Sequence, residues 1–498
     1  MKKHSKLVTY TVAAMSLFTA MSGSSLSLSL PHIATSFHIP ASTSSIVMMI
    51  GMITEIILMV AFGHLGDLFS KNTVYIFGGW IYAFGSLLSG LVPSFSLLLA
   101  SIFVQGLGSA MVLATTLGLL KDDTTDDDYP QALATNSMSA SIGALLGPVI
   151  GGVILSAFVS SGWRWIFLLS APVAAIIMLV SGRAIRRESV DKSQLTKTLK
   201  TANWSGQIIF TVGILLMFGY YVFIVPRFNA FENYLTFIIL GGIIVVSSFI
   251  QDDKAKSPWI SPKVLRDKVF LTSNSLLFLS QFGYALSNIL LPFYLQNFLA
   301  YSAGLSGLII AVNSLVTFLL SPLIGKWAGK SSRRWLLMVL GLVMIAISQA
   351  GYAAYLPTKN LAIIFLPIII NGIGWAFFLS PNAAITMSHI TSENSGVAGS
   401  VNQTLKTLGM AVGVGFTTSL LTVLTKNATI VPGNGKVTPF LSAFHFIFWI
   451  GTAIAVFTII LSLFQKKDDE AAEAPVPAVA SNTSAAINSA GTSVAHQK

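Results

Sequence analysis

The sequence predicts an all-α integral membrane protein with fourteen transmembrane helices, arranged as two six-helix bundles and a two-helix insert. Composition, apolar runs and an internal repeat lead to this prediction. Of the 498 residues, 54% are hydrophobic and 9% are charged, and the mean hydropathy is +0.76. The surface of a soluble protein needs roughly a quarter to a third charged residues. The same figures exclude a disordered chain.

Apolar runs of about 20 residues, the length at which a helix crosses ~30 Å of hydrocarbon, recur along the whole chain. They are uniformly apolar, which excludes the alternating strands of an outer-membrane barrel. The first run is too long for a removable signal peptide and has no cleavage site. The predicted spans lie near residues 8–30, 45–65, 73–93, 95–119, 131–156, 164–184, 204–225, 233–251, 270–293, 303–325, 334–356, 361–382, 396–424 and 441–465.

The distribution of basic residues predicts the orientation. If the N-terminus is cytoplasmic, 23 of the 29 Lys and Arg residues lie on the cytoplasmic side. Loops rich in Lys and Arg stay in the cytoplasm, so we expect a multi-pass protein of the plasma membrane with both termini cytoplasmic. The net charge of +11 is then a signal of topology and of contact with anionic lipid headgroups. It does not indicate a nucleic acid partner.

Short segments recur at a nearly constant offset, and eight spans separate the members of each pair. The halves are therefore expected to lie parallel across the membrane, on either side of spans seven and eight. The expected units are residues 1–200, 201–268 and 269–467, followed by a disordered cytoplasmic tail over 468–498. The matched segments begin at Gly63 and Gly325 and at Leu146 and Leu408, both 262 apart, at Gln105 and Asn371, 266 apart, and at Leu30 and Leu291, 261 apart.

Two segments carry the most specific signals. After the second span come Gly63, Asp67 and Lys71; we expect Gly63 to let helices approach and Asp67 to lie at the start of the next helix. There it would act as a cytoplasmic latch or as a plain helix cap. In the fifth span, Gly143, Gly147, Pro148, Gly151 and Gly152 form a flat, bent face on which another helix can pack closely. That face is expected to be a packing surface and a gate.

These segments resemble the major facilitator superfamily, and within it the fourteen-span drug:proton antiporters. The fifth-span glycines match the antiporter motif at every fixed position, and Gly63 with Asp67 is similar to the superfamily's loop motif. Trp163 to Phe167 resembles the family's entry to the sixth helix, and Gly399 to Gly413, with Lys406 at the usual arginine, resembles its thirteenth helix. The resemblance covers residues 8 to 465. It implies two rocking bundles that exchange protons for amphipathic drugs.

The chain departs from that pattern at residues which the family uses for protons. Ile102 stands where the fourth helix usually carries arginine, and Ser22 stands where the first helix usually carries aspartate. In the loop motif, Ser70 replaces a usual glycine. The acidic residue within a predicted span is Glu55, eight residues before Gly63. Glu55 is either the proton carrier or a neutral group bonded to a neighbouring helix.

A few other polar residues lie within predicted spans. Lys406 can pair with a carboxylate, line the cavity, or extend its charge toward the cytoplasm. Asn274, Gln281 and Asn288 are spaced seven residues apart on one face of the ninth span. They either line a cavity, as Ser22 also can, or hold helices together by hydrogen bonds.

Several classes of site have no support in the sequence. There is no cysteine, and the histidines show no metal-binding spacing. We therefore expect no metal, no cofactor and no catalytic residues. The acidic stretch 122–128 lacks the glycine and distal glutamate of a calcium loop and predicts a solvated loop. A phosphate-binding Gly-Lys-Ser/Thr motif is also missing, so ATP is not expected to drive the protein.

The leading hypothesis is a monomeric exporter of hydrophobic, cationic compounds in exchange for protons. A second hypothesis is proton-linked export of one metabolite or lipid-like molecule. A third is a membrane sensor or scaffold that no longer transports, suggested by Ser22 and Ile102. A drug-susceptibility panel separates the first two, and transport in vesicles separates both from the third.

Overall fold

In a computed structural model of the chain, the described residues are helical apart from short turns. The described residues are 3–124, 129–158, 161–185, 203–220, 234–255, 266–330, 334–354, 360–388, 395–425 and 439–472. Long helices follow the predicted spans in order, and one turn of helix over Ala41–Ser44 joins the first to the second. The long helices are α1 Lys3–Ser36, α2 Ile46–Phe69, α3 Lys71–Leu91, α4 Phe95–Asp123, α5 Tyr129–Ala157, α6 Gly162–Ala184, α7 Trp204–Gly219, α8 Tyr234–Asp253, α9 Lys268–Phe293, α10 Ala303–Lys330, α11 Arg334–Ala353, α12 Leu361–Ser388, α13 Ser395–Thr425 and α14 Pro439–Ala472.

The all-helical membrane fold is confirmed. In the described part of the chain, 11 helices are long and apolar enough to cross a membrane, and α2, α7 and α8 contain shorter apolar stretches. The number of fourteen crossings stays a prediction. Large apolar side chains such as Phe84, Ile176, Leu319 and Phe464 are exposed on the helices, as expected of a surface that faces lipid rather than water.

Several helices extend beyond the predicted limits. The first and ninth spans are predicted to end near residues 30 and 293, but α1 continues through Pro31 to Ser36, and α9 continues through Pro292 into a π-helical turn ending at Phe298. Proline removes one backbone donor and bends a helix without always ending it. Helix α14 extends to Ala472, past the predicted start of the tail at 468, because Lys, Glu and Ala favour helix. Residues beyond 472 lie outside the described chain.

The internal repeat is visible in the contacts between helices. In α3 and α4, a Cβ on Gly78 would lie 3.0 Å from the Gly108 carbonyl oxygen. In α11 and α12, a Cβ on Gly341 would lie 2.7 Å from the Gly374 carbonyl oxygen. Helix α5 packs on α1 as α13 packs on α9. We call α1–α6 the N-terminal half and α9–α14 the C-terminal half.

The two additional helices pack mainly on each other and on the N-terminal half. Helix α7 lies against α8 and α2, and the Gln207 side chain donates to the Ile57 carbonyl of α2 at 2.8 Å. Asn203 at the start of α7 donates to Asp252 near the end of α8 at 2.8 Å. These bonds fix the two helices to α2 at one end of the bundle.

The halves meet along two seams, α5 on α10 and α2 on α13. Small residues form the first seam: a Cβ on Gly152 of α5 would lie 2.8 Å from the Ala303 carbonyl oxygen of α10. In the second seam the Thr404 hydroxyl lies 3.8 Å from the Met59 sulfur. Between the seams the halves separate and leave space for a central cavity.

Candidate functional site: a central cavity between the halves

A cavity of about 1250 Å³ lies between the two halves. Its wall reaches the end of the bundle at which Lys71, Lys121 and Asp122 lie, the end that the sequence predicts to be cytoplasmic. At the opposite end the halves are joined. Gln296 donates to the Leu28 carbonyl at 3.0 Å, and the Gly304 amide donates to the Ser156 hydroxyl at 2.9 Å. The cavity is therefore open at one end of the bundle and closed at the other.

The wall contributed by the N-terminal half, which we call the N-terminal wall, carries Glu55. Glu55 is half-buried, and the Ser109 hydroxyl donates to its Oε1 at 2.6 Å. Next to this pair, Gln105 donates to the Ser86 hydroxyl at 2.8 Å, and Tyr82 interacts through its hydroxyl with Ser22, Gln105 and Ser86. The polar groups of this wall therefore satisfy one another.

Two residues that differ from the pattern of the resembled family lie at the same wall. Both Ser22 and Ile102 line the cavity, where the resembled family usually has aspartate and arginine. Ser22 belongs to the cluster around Tyr82, whereas Ile102 contributes an apolar surface. The charge that remains on this wall within the apolar stretch of α2 is Glu55.

The wall contributed by the C-terminal half, the C-terminal wall, carries Lys406. Its side chain is exposed to the cavity, and Gln281 and Asn288 of α9 also line it. Asn274, the first member of the predicted row, is fully buried and does not line the cavity. It accepts a hydrogen bond from Asn402 at 2.9 Å. The row is thus divided between helix packing and the cavity wall, because α13 covers the end of α9 at which Asn274 lies.

The fifth-helix motif faces two different neighbours. Gly143, Gly147 and Gly151 lie against α1, where a Cβ on Gly147 would lie 2.5 Å from the Met21 carbonyl oxygen. The Ser25 hydroxyl of α1 donates to the Gly147 carbonyl at 2.7 Å.

Gly152 and Pro148 lie instead against α10. A Cβ on Gly307 of α10 would overlap the Pro148 carbonyl oxygen. One side of the motif therefore packs α5 against α1 of the same half, and the opposite side packs α5 against α10 of the C-terminal half.

The loop motif differs from its predicted arrangement. Residues Gly63 to Phe69 are helical, so Asp67 belongs to the last turn of α2 and not to the start of α3; its side chain lies outside the described residues. A Cβ on Gly63 would meet no described atom within 4 Å, so no close helix contact at Gly63 is seen in the described part of the chain. The chain turns at Ser70, whose φ of 125° lies in a region that favours glycine. Ser70 accepts from the Thr73 amide and caps α3.

Lys71 forms an ion pair with Asp122 at the end of α4, with Nζ and Oδ2 2.8 Å apart. Sequence reasoning assigned Asp122 to a solvated loop and did not pair it. The signal was available: an acidic stretch follows the fourth span on the same predicted side as Lys71. This ion pair joins two helices of one half at the open end of the cavity.

Arg164, in the segment that resembles the family's entry to the sixth helix, contacts the end of a neighbouring helix in its own half. Its guanidinium donates to the Val92 carbonyl just beyond α3 and lies 4.4 Å from the Trp163 ring centroid. A cation at a helix C-terminus is favourable. Trp163 itself is buried in the core of the N-terminal half.

Comparison with known proteins agrees with this architecture. The sequence profile described as Major Facilitator Superfamily matches residues 12–272 and 273–495. The riboflavin transporter RibZ of Clostridioides difficile (strain 630) is 25% identical over 455 residues, which are 91% of this chain and 96% of RibZ. The multidrug resistance protein Stp of Mycobacterium tuberculosis (strain CDC 1551 / Oshkosh) is 23% identical over 386 residues, 75% of this chain and 68% of Stp.

A further relative is the probable multidrug resistance protein EmrY of Escherichia coli (strain K12), which is 25% identical over 365 residues, 72% of this chain and 69% of EmrY. A solved structure from work on substrate recognition in proton dependent oligopeptide transporters superimposes with a TM-score of 0.65 at 14% identity. The superposition covers 92% of this chain and 98% of that one. The shared fold and the two profile matches, one on each half, show that this chain belongs to the Major Facilitator Superfamily.

Proposed function

We propose that this transporter exports hydrophobic drugs and other amphipathic compounds across the plasma membrane in exchange for protons, and that Glu55 carries the proton. The observation that carries the proposal is the position of Glu55 on the cavity wall, within an apolar stretch of α2. Two other described acidic residues line the cavity, Asp122 and Asp252. Asp122 is paired with Lys71 and Asp252 is bonded to Asn203, so neither is as well placed for coupling.

The exchange follows from competition for one carboxylate. An ionised carboxylate inside an apolar segment costs at least ~2.5–3.5 kcal/mol, and either a proton or a cationic compound offsets that cost. When the cavity opens to the cytoplasm, a cationic compound displaces the proton. When it opens to the other side, a proton displaces the compound. The seam between α5 and α10 must then separate at the closed end.

A second candidate function is export of one metabolite. It is supported by the similarity to a protein named as a riboflavin transporter over 91% of the chain. The side-chain amides of Gln281 and Asn288 at the C-terminal wall suit a polar compound. A susceptibility panel of unrelated drugs separates the candidates: broad protection by the expressed protein supports multidrug export, and protection against none of them supports a single substrate.

The test of the proton carrier is Glu55→Gln in proteoliposomes. The change keeps the shape and removes the ionisable group, so drug-driven proton release should fall at least ~100-fold even when the drug saturates the cavity. Glu55→Asp is the matched variant and should retain part of the exchange. Exchange by Glu55→Gln at the wild-type rate would place the carrier elsewhere. If the wild-type protein binds the drug but exchanges none of it for protons, the sensor hypothesis is favoured.

A further inference from the structure

Lys406 is a cation that faces the cavity. It lies within the apolar stretch Val401–Thr425 of α13, and its side chain is exposed at the cavity wall. Within the described part of the chain it forms no ion pair and no side-chain hydrogen bond. Glu55 belongs to the other half, and no ion pair between Glu55 and Lys406 is found among the described residues. A cation in such a place needs water or an anion beside it.

Three side-chain amides belong to the same wall. Gln281, Asn288 and Gln403 line the cavity, and their side chains make no hydrogen bond to another residue that the structure describes. Gln403 precedes Lys406 by three residues, slightly less than one turn of α13. The C-terminal wall therefore presents an ammonium group and amide donors that are available to a bound molecule.

An apolar aromatic surface accompanies these donors. Tyr284 and Trp375 both line the cavity, and their rings meet edge to face with centroids 5.3 Å apart. A flat apolar group can pack against such a pair. The wall thus combines polar donors with an aromatic contact, which is the usual composition of a site for a small amphipathic molecule.

We propose that Lys406, assisted by the amides of Gln281 and Gln403, binds an anionic group of the transported compound. The group is a carboxylate, a sulfonate or a phosphate, each of which accepts charge-assisted hydrogen bonds from an ammonium group. The substrates are then amphipathic zwitterions, whose anionic end binds to Lys406 and whose cationic end competes with the proton at Glu55. This inference rests on the proposed export function and specifies its substrate class.

Two fluorescent probes with one ring skeleton test the proposal. They are 1-anilinonaphthalene-8-sulfonate, which is anionic, and N-phenyl-1-naphthylamine, which lacks the sulfonate. Each is titrated into the full chain in phosphatidylcholine nanodiscs, with empty nanodiscs subtracted. Lys406→Gln should weaken binding of the sulfonate at least tenfold and binding of the neutral probe less than twofold. Lys406→Arg should keep the sulfonate within about threefold of the wild type.

A second lysine provides the matched control. Lys121 also lines the cavity, at its open end, so Lys121→Gln removes the same charge without touching the proposed subsite and should change neither affinity. The proposal is overturned if Lys406→Gln leaves sulfonate binding unchanged, weakens both probes equally, or has the same effect as Lys121→Gln. The titration needs no proton gradient. Failure of proton exchange in the Glu55 experiment would therefore leave this result standing, and the reverse also holds.

Discussion

The two halves share a backbone plan and present different walls to the cavity. At the offset of the repeat, Glu55 of α2 corresponds to Thr317 of α10, and Lys406 of α13 corresponds to Ala144 of α5. All four residues line the cavity. Each half therefore places one charge near the centre, at positions that are not equivalent. Equivalent helices can evidently build the same framework around different chemistry.

The hydrogen bonds of the two walls also differ. On the N-terminal wall, Ser109 donates to Glu55 and Gln105 donates to Ser86, so the polar groups are held in place before anything binds. On the C-terminal wall, Lys406 and its neighbouring amides keep their donors available. We infer that the first wall handles the proton and the second handles the compound. The following experiments, ordered from the largest expected effect to the smallest, can break or sharpen that distinction.

The largest effects should come from the framework that the halves share. Gly147 in α5 and its counterpart Gly409 in α13 both touch a backbone carbonyl of the neighbouring helix, at Met21 and Phe278. Gly147→Leu and Gly409→Leu should each lower stability by about 1–3 kcal/mol or more, measured as thermal unfolding in detergent. Gly242→Leu is the control, because a Cβ there meets nothing within 4 Å. A large effect at only one of the two positions would show that the halves are not packed alike.

The next effect concerns the pre-formed wall. Ser109→Ala removes the donor to Glu55, and a hydrogen bond to a charged group contributes about 1.5–3 kcal/mol. Uphill transport should fall about tenfold or more, with a changed pH profile, and Ser109→Thr should restore it. In a Glu55→Gln background the same change should cost nothing further. An equal loss in both backgrounds would mean that Ser109 acts on structure and not through Glu55.

Changes on the C-terminal wall should act on affinity. Gln281→Met and Asn288→Leu each remove a hydrogen-bond donor and keep a side chain of similar size. The loss of one neutral hydrogen bond to the compound costs about 0.5–1.5 kcal/mol of binding free energy, or roughly two- to tenfold in affinity. KM for a polar compound should rise by that factor, while the number of protons exchanged per compound stays constant. If the stoichiometry changes instead, the division between the walls is wrong.

The smallest effect is expected at the ion pair of Lys71 and Asp122. The two side chains are 25% and 54% exposed, and exposed pairs contribute about 0–1 kcal/mol. A double-mutant cycle with Lys71→Ala and Asp122→Ala should give a coupling within that range, and 0.5 M salt should reduce it. A coupling well above that range would indicate a genuine latch at the open end.

The sequence predicted the framework well because length and apolarity determine where membrane helices form. It also predicted the offset that places Gly147 and Gly409 at equivalent contacts. It did not predict the course of the chain between α2 and α3, because a glycine and an aspartate can end one helix or begin the next. Ser70, with its positive φ, shows where the turn occurs.

The cavity was predicted only in part. Gln281 and Asn274 belong to the same seven-residue row, yet one lines the cavity and the other is buried under Asn402. Periodicity identifies a face of a helix, but the neighbour that covers each turn of it depends on the crossing of α9 and α13. Glu55 and Ser109 lie on different helices, as do Lys71 and Asp122. Their pairing could not be predicted because the sequence does not show which helices pack together.

Helices α7 and α8 are attached to α2 through Gln207, which would make the two bodies of a rocking transporter unequal. If the extra pair travels with the N-terminal half, one body has eight helices and the other has six, and the chain passes between them after α8. A larger body meets more viscous drag in the lipid. The six-helix body that carries Lys406 should then swing through the wider angle relative to the membrane plane, while the body that carries Glu55 stays nearer to rest.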